Sequence, residues 1–343
     1  MLEKLVRKIL VFGVDAFLFS VVFIGKLGSL HGVFQLFLFS FLFITLARAE
    51  KLANVSPNYF THLYTPYKEI SSKKEPLSAD LNLTRFPEVT AKAVLVADLN
   101  SQKILYEKSA DVRFAPASTT KLMTALVARD LYFPLRDDIY IPLKCAQTPG
   151  MELGLFAEEK ISYIDLLNAA LIGSANDAAC TLANELTSEE EFVAAMNAKA
   201  EDLGLEDTHF TNPVGFDDAN YLHYSSARNL YLLTLEARKD PVIKKLIRQK
   251  NYTLLTGDIL RKATSTNKLL WEIPGTVGVK TGTTEEAGQV LIYEYDSAFD
   301  SSKGAVAKNG EKRNILIIVM GSEDRFKETE KILDWTLKRF VWL

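Results

Sequence analysis

Histidine and cysteine are scarce in this chain. Its 343 residues include four histidines, which are His31, His62, His209 and His223. They show no spacing typical of metal ligands, which argues against a zinc peptidase or a Ser-His-Asp triad, so we expect no metal and no cofactor. His223 is interpreted as a structural hydrogen-bonding residue. Two cysteines, Cys145 and Cys180, permit one disulfide in an exported protein, but the helical position of Cys180 favours a small core residue.

A surplus of positive charge is also absent. Lysine and arginine total 40 against 43 aspartates and glutamates, which gives a net charge of −3. No basic stripe follows in the polar part of the chain, so we expect no nucleic-acid partner.

Long apolar runs are concentrated in the first fifty residues. Residues 9–25 and 33–47 are rich in Phe, Leu, Ile and Val, and residues 47–49 read A-R-A, an A-x-A-like cleavage site. We predict a signal peptide or N-terminal membrane segment over residues 1–49, a polar tether over 50–87 and one catalytic domain over 88–343. The domain is expected outside the cytoplasm, in the periplasm or at the cell surface. If the leader is not cleaved, it anchors the protein in the membrane.

Three short motifs carry the chemistry, and their order along the chain is informative. The first motif, S-T-T-K, runs from Ser118 to Lys121. The second, S-A-N, runs from Ser174 to Asn176, and the third, K-T-G, begins at Lys280. A serine acyl-transfer enzyme without a catalytic histidine needs a nucleophile with an amine base, a second hydroxyl with an amide, and a strand that binds a carboxylate. Residues 71–74 and 265–268 also read S-x-x-K, but they fit a linker and a loop.

The context of each motif predicts its local structure. Pro116 precedes a run of helix formers, so Ser118 is placed at a helix N-terminus with the Lys121 amine one turn away. Burial and a second cation, Lys280, would keep that amine neutral. The S-A-N motif falls in a turn between two helices. K-T-G falls on the first strand of a hairpin, where Gly282 lets a substrate backbone approach closely.

Together these motifs resemble the penicillin-recognising serine acyltransferases, most closely the D-alanyl-D-alanine carboxypeptidases among the low-molecular-mass penicillin-binding proteins. The resemblance extends from about Val89 to the C-terminus and includes segments beyond the motifs. These segments are residues 91–98, 102–107, 211–216, 223–228, 267–271 and 287–288.

The resemblance implies a role for each motif residue. Ser118 is the nucleophile and Lys121 its base, while Ser174 and Asn176 assist proton transfer and orient the acyl amide. The remaining roles concern the substrate, and the residues implied to bind it are Lys280, Thr281, Gly282, Thr283 and Arg325.

Two of these assignments carry further detail. The backbone N–H groups of Ser118 and Thr283 form the implied oxyanion hole, and Thr283 stands where some family members have histidine. Arg325 resembles a late arginine near the terminal carboxylate of the substrate.

The implied fold is the α+β penicillin-binding/β-lactamase-like transpeptidase fold, an antiparallel sheet flanked by helices plus a helical lobe. Strands at 92–107, 277–295 and 313–321 would form that sheet. The implied activity is serine carboxypeptidase hydrolysis in cell-wall peptidoglycan metabolism and cell shape. Its substrate is the peptidoglycan stem peptide, which loses its terminal D-Ala, and β-lactam antibiotics are the expected inhibitors.

Three alternatives stay open. A D,D-endopeptidase acting on peptidoglycan cross-links would use the same residues. A class A β-lactamase is disfavoured because no E-x-x-x-N pattern lies between Asn176 and Lys280. An inactive penicillin-fold scaffold or wall-binding module is disfavoured because every motif residue is intact.

Overall fold

The computed structural model describes residues 85–131, 139–185, 187–299 and 312–340. The predicted signal or membrane segment (1–49) and the tether up to residue 84 lie outside the described residues. Within the described ranges, no helix has both the length and the apolar character needed to cross a membrane. The domain boundaries remain a prediction.

A five-stranded antiparallel sheet forms the centre of the described part of the chain. Its strands are β1 (Ala93–Asp98), β2 (Lys103–Lys108), β7 (Thr276–Thr284), β8 (Gly288–Asp296) and β9 (Asn314–Ser322). They lie in the order β2-β1-β9-β8-β7, which places β7 at one edge. The prediction that the first and last strands share one antiparallel sheet is confirmed, and β1 runs antiparallel to β9 over six residue pairs.

The central strands are apolar on both faces because each face packs against helices. In β9, alternate side chains belong to two separate core clusters, with Ile318 and Met320 in one and Ile317 and Val319 in the other. Such near-continuous apolar runs are typical of strands covered on both sides.

Nine helices occur among the described residues, most of them between β2 and β7. Their bounds are α1 (Lys121–Leu131), α2 (Leu143–Ala146), α3 (Tyr163–Ile172), α4 (Asn176–Asn184), α5 (Glu189–Asp202), α6 (Ala227–Ala237), α7 (Pro241–Leu246), α8 (Leu269–Glu272) and α9 (Arg325–Arg339). Several N-termini follow the sequence signals for helix starts: Ser188 and Glu191 form a capping box at α5, and Asp240 caps α7.

Helix α1 is the core of the helical lobe. Eight of its residues, from Lys121 to Ala128, are buried. A disulfide between Cys145 and Cys180 joins α2 to α4. The interpretation of Cys180 as a small core residue was therefore wrong about its chemistry, although its side chain is buried.

Two small two-stranded sheets complete the described structure. Strands β3 (Ile139–Tyr140) and β4 (Lys160–Ile161) pair with each other, as do β5 (Asn251–Thr256) and β6 (Ile259–Thr264). The predicted loop between β8 and β9 starts with a 3₁₀ turn (Ser297–Phe299), and residues 300–311 lie outside the described ranges.

Candidate active site

Ser118 lies in a short 3₁₀ turn (Ala117–Thr120) that leads directly into α1. Two glycines allow other segments to pack tightly against this turn. A Cβ on Gly215 would lie 2.0 Å from the Ala117 carbonyl oxygen, and a Cβ on Gly282 would lie 3.0 Å from the Ser118 amide nitrogen. Ala117 itself has a φ of 49°, a left-handed conformation that costs free energy in a non-glycine residue. The predicted position at a helix start is thus realised through a strained turn.

The Lys121 amine is fully buried and has three polar neighbours. Its Nζ lies 2.9 Å from Ser118 Oγ, 2.8 Å from Asn176 Oδ1 and 2.8 Å from the Val214 carbonyl oxygen. The Asn176 amide orientation is fixed because its Nδ2 donates to the Pro149 carbonyl oxygen at 2.7 Å.

These contacts decide the direction of the lone pair when the amine is neutral. A neutral amine has two hydrogens and one lone pair, and two of its three neighbours are oxygens that only accept. The hydrogens therefore go to Asn176 and Val214, and the lone pair faces the Ser118 hydroxyl. That is the geometry of a base poised to take the serine proton.

The electrostatics of the site favour the neutral amine. Burial, followed by repulsion from Lys280, holds the pKa of Lys121 well below its usual value of 10.5. A neutral lysine at physiological pH is what a general base requires.

The turn between α3 and α4 presents the S-A-N motif. Ser174 adopts a left-handed φ of 59° and accepts a hydrogen bond from Lys280 Nζ at 2.7 Å. Asn176 begins α4, and its backbone N–H donates to the Met151 carbonyl oxygen at 2.7 Å. The predicted pair of helices joined by a tight turn is confirmed. The turn places the Ser174 and Asn176 side chains beside the other motifs.

Lys280 lies on the edge strand β7 with its amine buried under the site. Burial, with added repulsion from Arg325, lowers the pKa of Lys280 from 10.5 to about 7. Besides Ser174, its Nζ donates to the Thr281 carbonyl oxygen at 3.1 Å. Thr281 Oγ1 forms a hydrogen bond with Thr266 Oγ1.

Arg325, the first residue of α9, reaches back to β7. Its Nη1 donates to the Gly282 carbonyl oxygen at 2.7 Å and also to the Thr283 hydroxyl. The guanidinium group is thereby brought next to the K-T-G strand.

A cavity of about 280 Å³ joins these groups. Seven of the nine predicted site residues line it: Ser118, Ser174, Asn176, Thr281, Gly282, Thr283 and Arg325. Lys121 and Lys280 lie behind this lining, where each amine contacts a serine hydroxyl of the cavity.

Several residues that the sequence did not predict also line the cavity. They are Gly150, Met151, Val214, Gly215, Phe216, Thr266 and Thr284. Val214 contributes through its backbone carbonyl, which has no sequence signature of its own. Thr266 follows Ser265 in one of the rival S-x-x-K segments, so that loop does belong to the site although its serine is not the nucleophile candidate.

Asp177 is a further residue that the sequence did not predict to matter. Its buried carboxylate accepts hydrogen bonds from the backbone N–H groups of Leu153, Gly154 and Leu155 at 3.0–3.1 Å. These bonds fasten the segment that carries Gly150 and Met151 to α4. Its position directly after the S-A-N motif was the available signal.

Comparison with known proteins gives consistent matches. Residues 80–303 match the family described as D-alanyl-D-alanine carboxypeptidase. A D-alanyl-D-alanine carboxypeptidase of Bacillus subtilis is 32% identical over 73% of this chain and 63% of its own length. A D-alanyl-D-alanine endopeptidase of Pseudomonas aeruginosa is 36% identical over 64% of this chain and 71% of its own length. The chain thus spans less than two thirds of the Bacillus relative.

Solved structures agree with these matches. The crystal structure of a D-alanyl-D-alanine carboxypeptidase from Mycobacterium tuberculosis aligns with a TM-score of 0.66 and 27% identity, and covers 79% of this chain and 99% of that one. The predicted fold class, α+β with an antiparallel sheet, flanking helices and a helical lobe, is confirmed.

Proposed function

Because the chain belongs to the D-alanyl-D-alanine carboxypeptidase family, we propose that it is a serine D,D-carboxypeptidase that removes the terminal D-Ala from peptidoglycan stem peptides. The observation that carries this proposal is the placement of the buried Lys121 amine, 2.9 Å from Ser118 Oγ, with its other two neighbours restricted to accepting hydrogen bonds.

Acylation starts at the Ser118 hydroxyl. Its oxygen attacks the carbonyl carbon of the penultimate D-Ala while the proton passes to Lys121 Nζ. The negative charge that develops on the carbonyl oxygen would be held by the backbone N–H groups of Ser118 and Thr283. Gly282 permits this pairing, since its missing side chain lets β7 lie directly against the Ser118 turn.

Departure of D-Ala requires a proton on the leaving nitrogen. Ser174 Oγ lies 2.7 Å from Lys280 Nζ, so the hydroxyl can pass its proton to the leaving nitrogen and regain one from the Lys280 ammonium. The proton that Lys121 took from Ser118 replaces the one that Lys280 gives up, so Lys121 is neutral again when D-Ala has left. Asn176 Nδ2 keeps a second hydrogen beyond the one given to Pro149, and this hydrogen can orient the acyl amide.

The terminal carboxylate of the substrate would lie at the cationic end of the cavity. Lys280 and Arg325 supply the positive charge there, and the Thr281 hydroxyl supplies a donor. Binding of an anion would raise the pKa of Lys280 from about 7, so the substrate itself would favour the charged ammonium.

Deacylation returns the enzyme to its starting state. Water attacks the Ser118 ester, Lys121 takes its proton, and the serine leaves with a proton from the lysine. A β-lactam that acylates Ser118 would enter the same cycle and leave it slowly, which makes β-lactams inhibitors.

A peptidoglycan substrate implies a domain that works outside the cytoplasm, in the periplasm or at the cell surface. The disulfide between Cys145 and Cys180 supports this location because such bonds persist in oxidising compartments. Residues 1–49 would supply the export signal and, if uncleaved, the membrane attachment.

A D,D-endopeptidase acting on peptidoglycan cross-links is the second candidate. The observation that favours it is the 36% identity to the Pseudomonas endopeptidase. Both reactions use the same acyl-enzyme, and they differ in whether the leaving group is free D-Ala or a cross-linked side chain.

The test is D-Ala release by the purified full-length chain from a stem-peptide analogue that ends in D-Ala-D-Ala, in parallel with cleavage of a cross-linked dimer. Ser118→Ala should abolish release, whereas Ser71→Ala, which removes the serine of a rival S-x-x-K, should leave the rate unchanged. Release from the pentapeptide alone supports the carboxypeptidase, and preferential dimer cleavage supports the endopeptidase. Activity that survives Ser118→Ala would overturn both.

A further inference from the structure

His223 is buried between the turn that carries Ser118 and a second turn at residues 211–216, with 2% of its side chain exposed. The Thr211 backbone N–H donates to its Nδ1 at 3.0 Å. Because that nitrogen accepts, the ring proton of the neutral imidazole lies on Nε2. Nε2 therefore donates to Thr120 Oγ1, 2.9 Å away, inside the S-T-T-K motif.

The turn that His223 holds supplies one of the two acceptors of the Lys121 amine. Asn212 Oδ1 shapes this turn by accepting from the N–H groups of Val214, Gly215 and Phe216 at 2.7–3.2 Å. The Val214 carbonyl then points at Lys121 Nζ, 2.8 Å away. The turn has a second tie to α1, since Thr124 Oγ1 donates to the Pro213 carbonyl oxygen at 2.6 Å.

We propose that His223 is a positioning residue for acylation: it couples the S-T-T-K turn to the 211–216 turn so that the Val214 carbonyl keeps the Lys121 lone pair directed at Ser118. This inference deepens the proposed function and rests on it. The imidazole touches neither substrate nor reacting atoms and acts through the two turns.

The hydrogen bonds of His223 keep the same direction between pH 6 and pH 8. Burial lowers the pKa of His223 to about 4, with Asp217 and Asp218 opposing and His209 adding to the shift. The ring therefore stays neutral at pH 6–8, with one nitrogen accepting and the other donating. A protonated ring would turn Nδ1 into a donor facing the Thr211 N–H.

The test uses substitutions that remove the hydrogen bond to Thr120 and the hydrogen bond from Thr211 separately. His223→Phe fills the space without polar atoms. His223→Gln keeps a donor near the position of Nε2, and His223→Asn keeps an acceptor near the position of Nδ1. His209→Gln is the matched control, because the His209 side chain forms a hydrogen bond with the Leu222 carbonyl oxygen and not with Thr120 or Thr211, the partners of His223.

The measurement is stopped-flow acylation of the full-length protein by a fluorescent penicillin at several concentrations, which gives the dissociation constant and the acylation rate constant separately. A displaced base should lower the rate constant of His223→Phe about 10- to 100-fold, with the dissociation constant changed less than about twofold. His223→Gln and His223→Asn should fall between it and the wild type, and the His209→Gln rate should equal that of the wild type. A thermal melt of each variant reports its folding.

The outcomes distinguish the two proposals. If the wild type is not acylated, the proposed function fails. If the wild type is acylated and a folded His223→Phe reacts at the same rate, the positioning role is overturned and only a structural role remains. If His223→Phe does not fold, wild-type rate constants in both the Gln and the Asn variants would overturn it equally.

Discussion

Replacing Lys280 with methionine should make the stability of this protein less dependent on pH, because the buried ammonium group opposes folding. The lysine side chain is 2% exposed, and its pKa falls from 10.5 to about 7 in the folded state. Methionine has a similar length and no charge, so the substitution removes the titration while filling most of the same space.

The magnitude follows from proton linkage. One pKa unit corresponds to about 1.4 kcal/mol, so the lowering to about 7 amounts to about 5 kcal/mol of opposition to folding when both states are protonated. Below pH 7 this cost is present in full. Between pH 7 and 10.5 the unfolded chain still binds the proton and the folded protein has lost it, so stability rises with pH. The expected rise between pH 7 and pH 9 is about 2 kcal/mol.

The assay is urea unfolding of the wild type and of Lys280→Met at pH 7 and pH 9, with the disulfide intact. The variant also loses the hydrogen bonds to Ser174 and to the Thr281 carbonyl, but that loss is the same at both pH values. Its removal of a charge also raises the pKa of Lys121, which flattens the profile of the variant further. Between pH 7 and pH 9 the free energy of unfolding of the wild type should rise by about 2 kcal/mol more than that of the variant. If the difference in unfolding free energy between the two proteins is the same at pH 7 and pH 9, Lys280 does not have the lowered pKa of a buried lysine.

Three further predictions follow from the same structure. Replacing Cys145 and Cys180 together with alanine should lower the free energy of unfolding by about 3–4 kcal/mol in urea, since the bond closes a loop with a sequence separation of 35; a loss under about 1 kcal/mol would argue against the bond. Gly282→Ala should slow penicillin acylation at least about tenfold because its Cβ would meet the Ser118 turn at 3.0 Å; a normal rate in stopped flow would contradict that contact. Arg325→Gln should raise KM for a D-Ala-D-Ala peptide about tenfold or more, with a smaller change in kcat; steady-state kinetics with KM unchanged would remove this arginine from carboxylate binding.

The sequence predicted the structure best where the residues that indicate a helix, strand or turn lie within that helix, strand or turn. The K-T-G segment is predicted to form the first strand of a hairpin, and the structure contains this hairpin as β7 and β8. The turn predicted at the S-A-N motif likewise separates α3 from α4. Because each motif lies on one such element, its local geometry could be predicted before the long-range packing was known.

The features that the sequence could not predict depend on atoms distant in the chain or on the backbone. The Val214 carbonyl that contacts Lys121 belongs to a turn 93 residues away, and any residue type has such a carbonyl. The pairing of Cys145 with Cys180 required the relative placement of α2 and α4, which composition does not encode. The histidine that links two turns at the site was assigned a structural role alone, because its partners were unknown.

If Ser118 forms the acyl-enzyme, intact-protein mass spectrometry will detect the covalent adduct. The full-length protein is mixed with a penicillin, quenched in acid and weighed, beside Ser118→Ala treated in the same way. We expect one covalent adduct with the mass of the penicillin on the wild type, located by peptide mapping at Ser118, and no adduct on the variant. An adduct at another residue, or a folded wild type that stays unmodified, would contradict it.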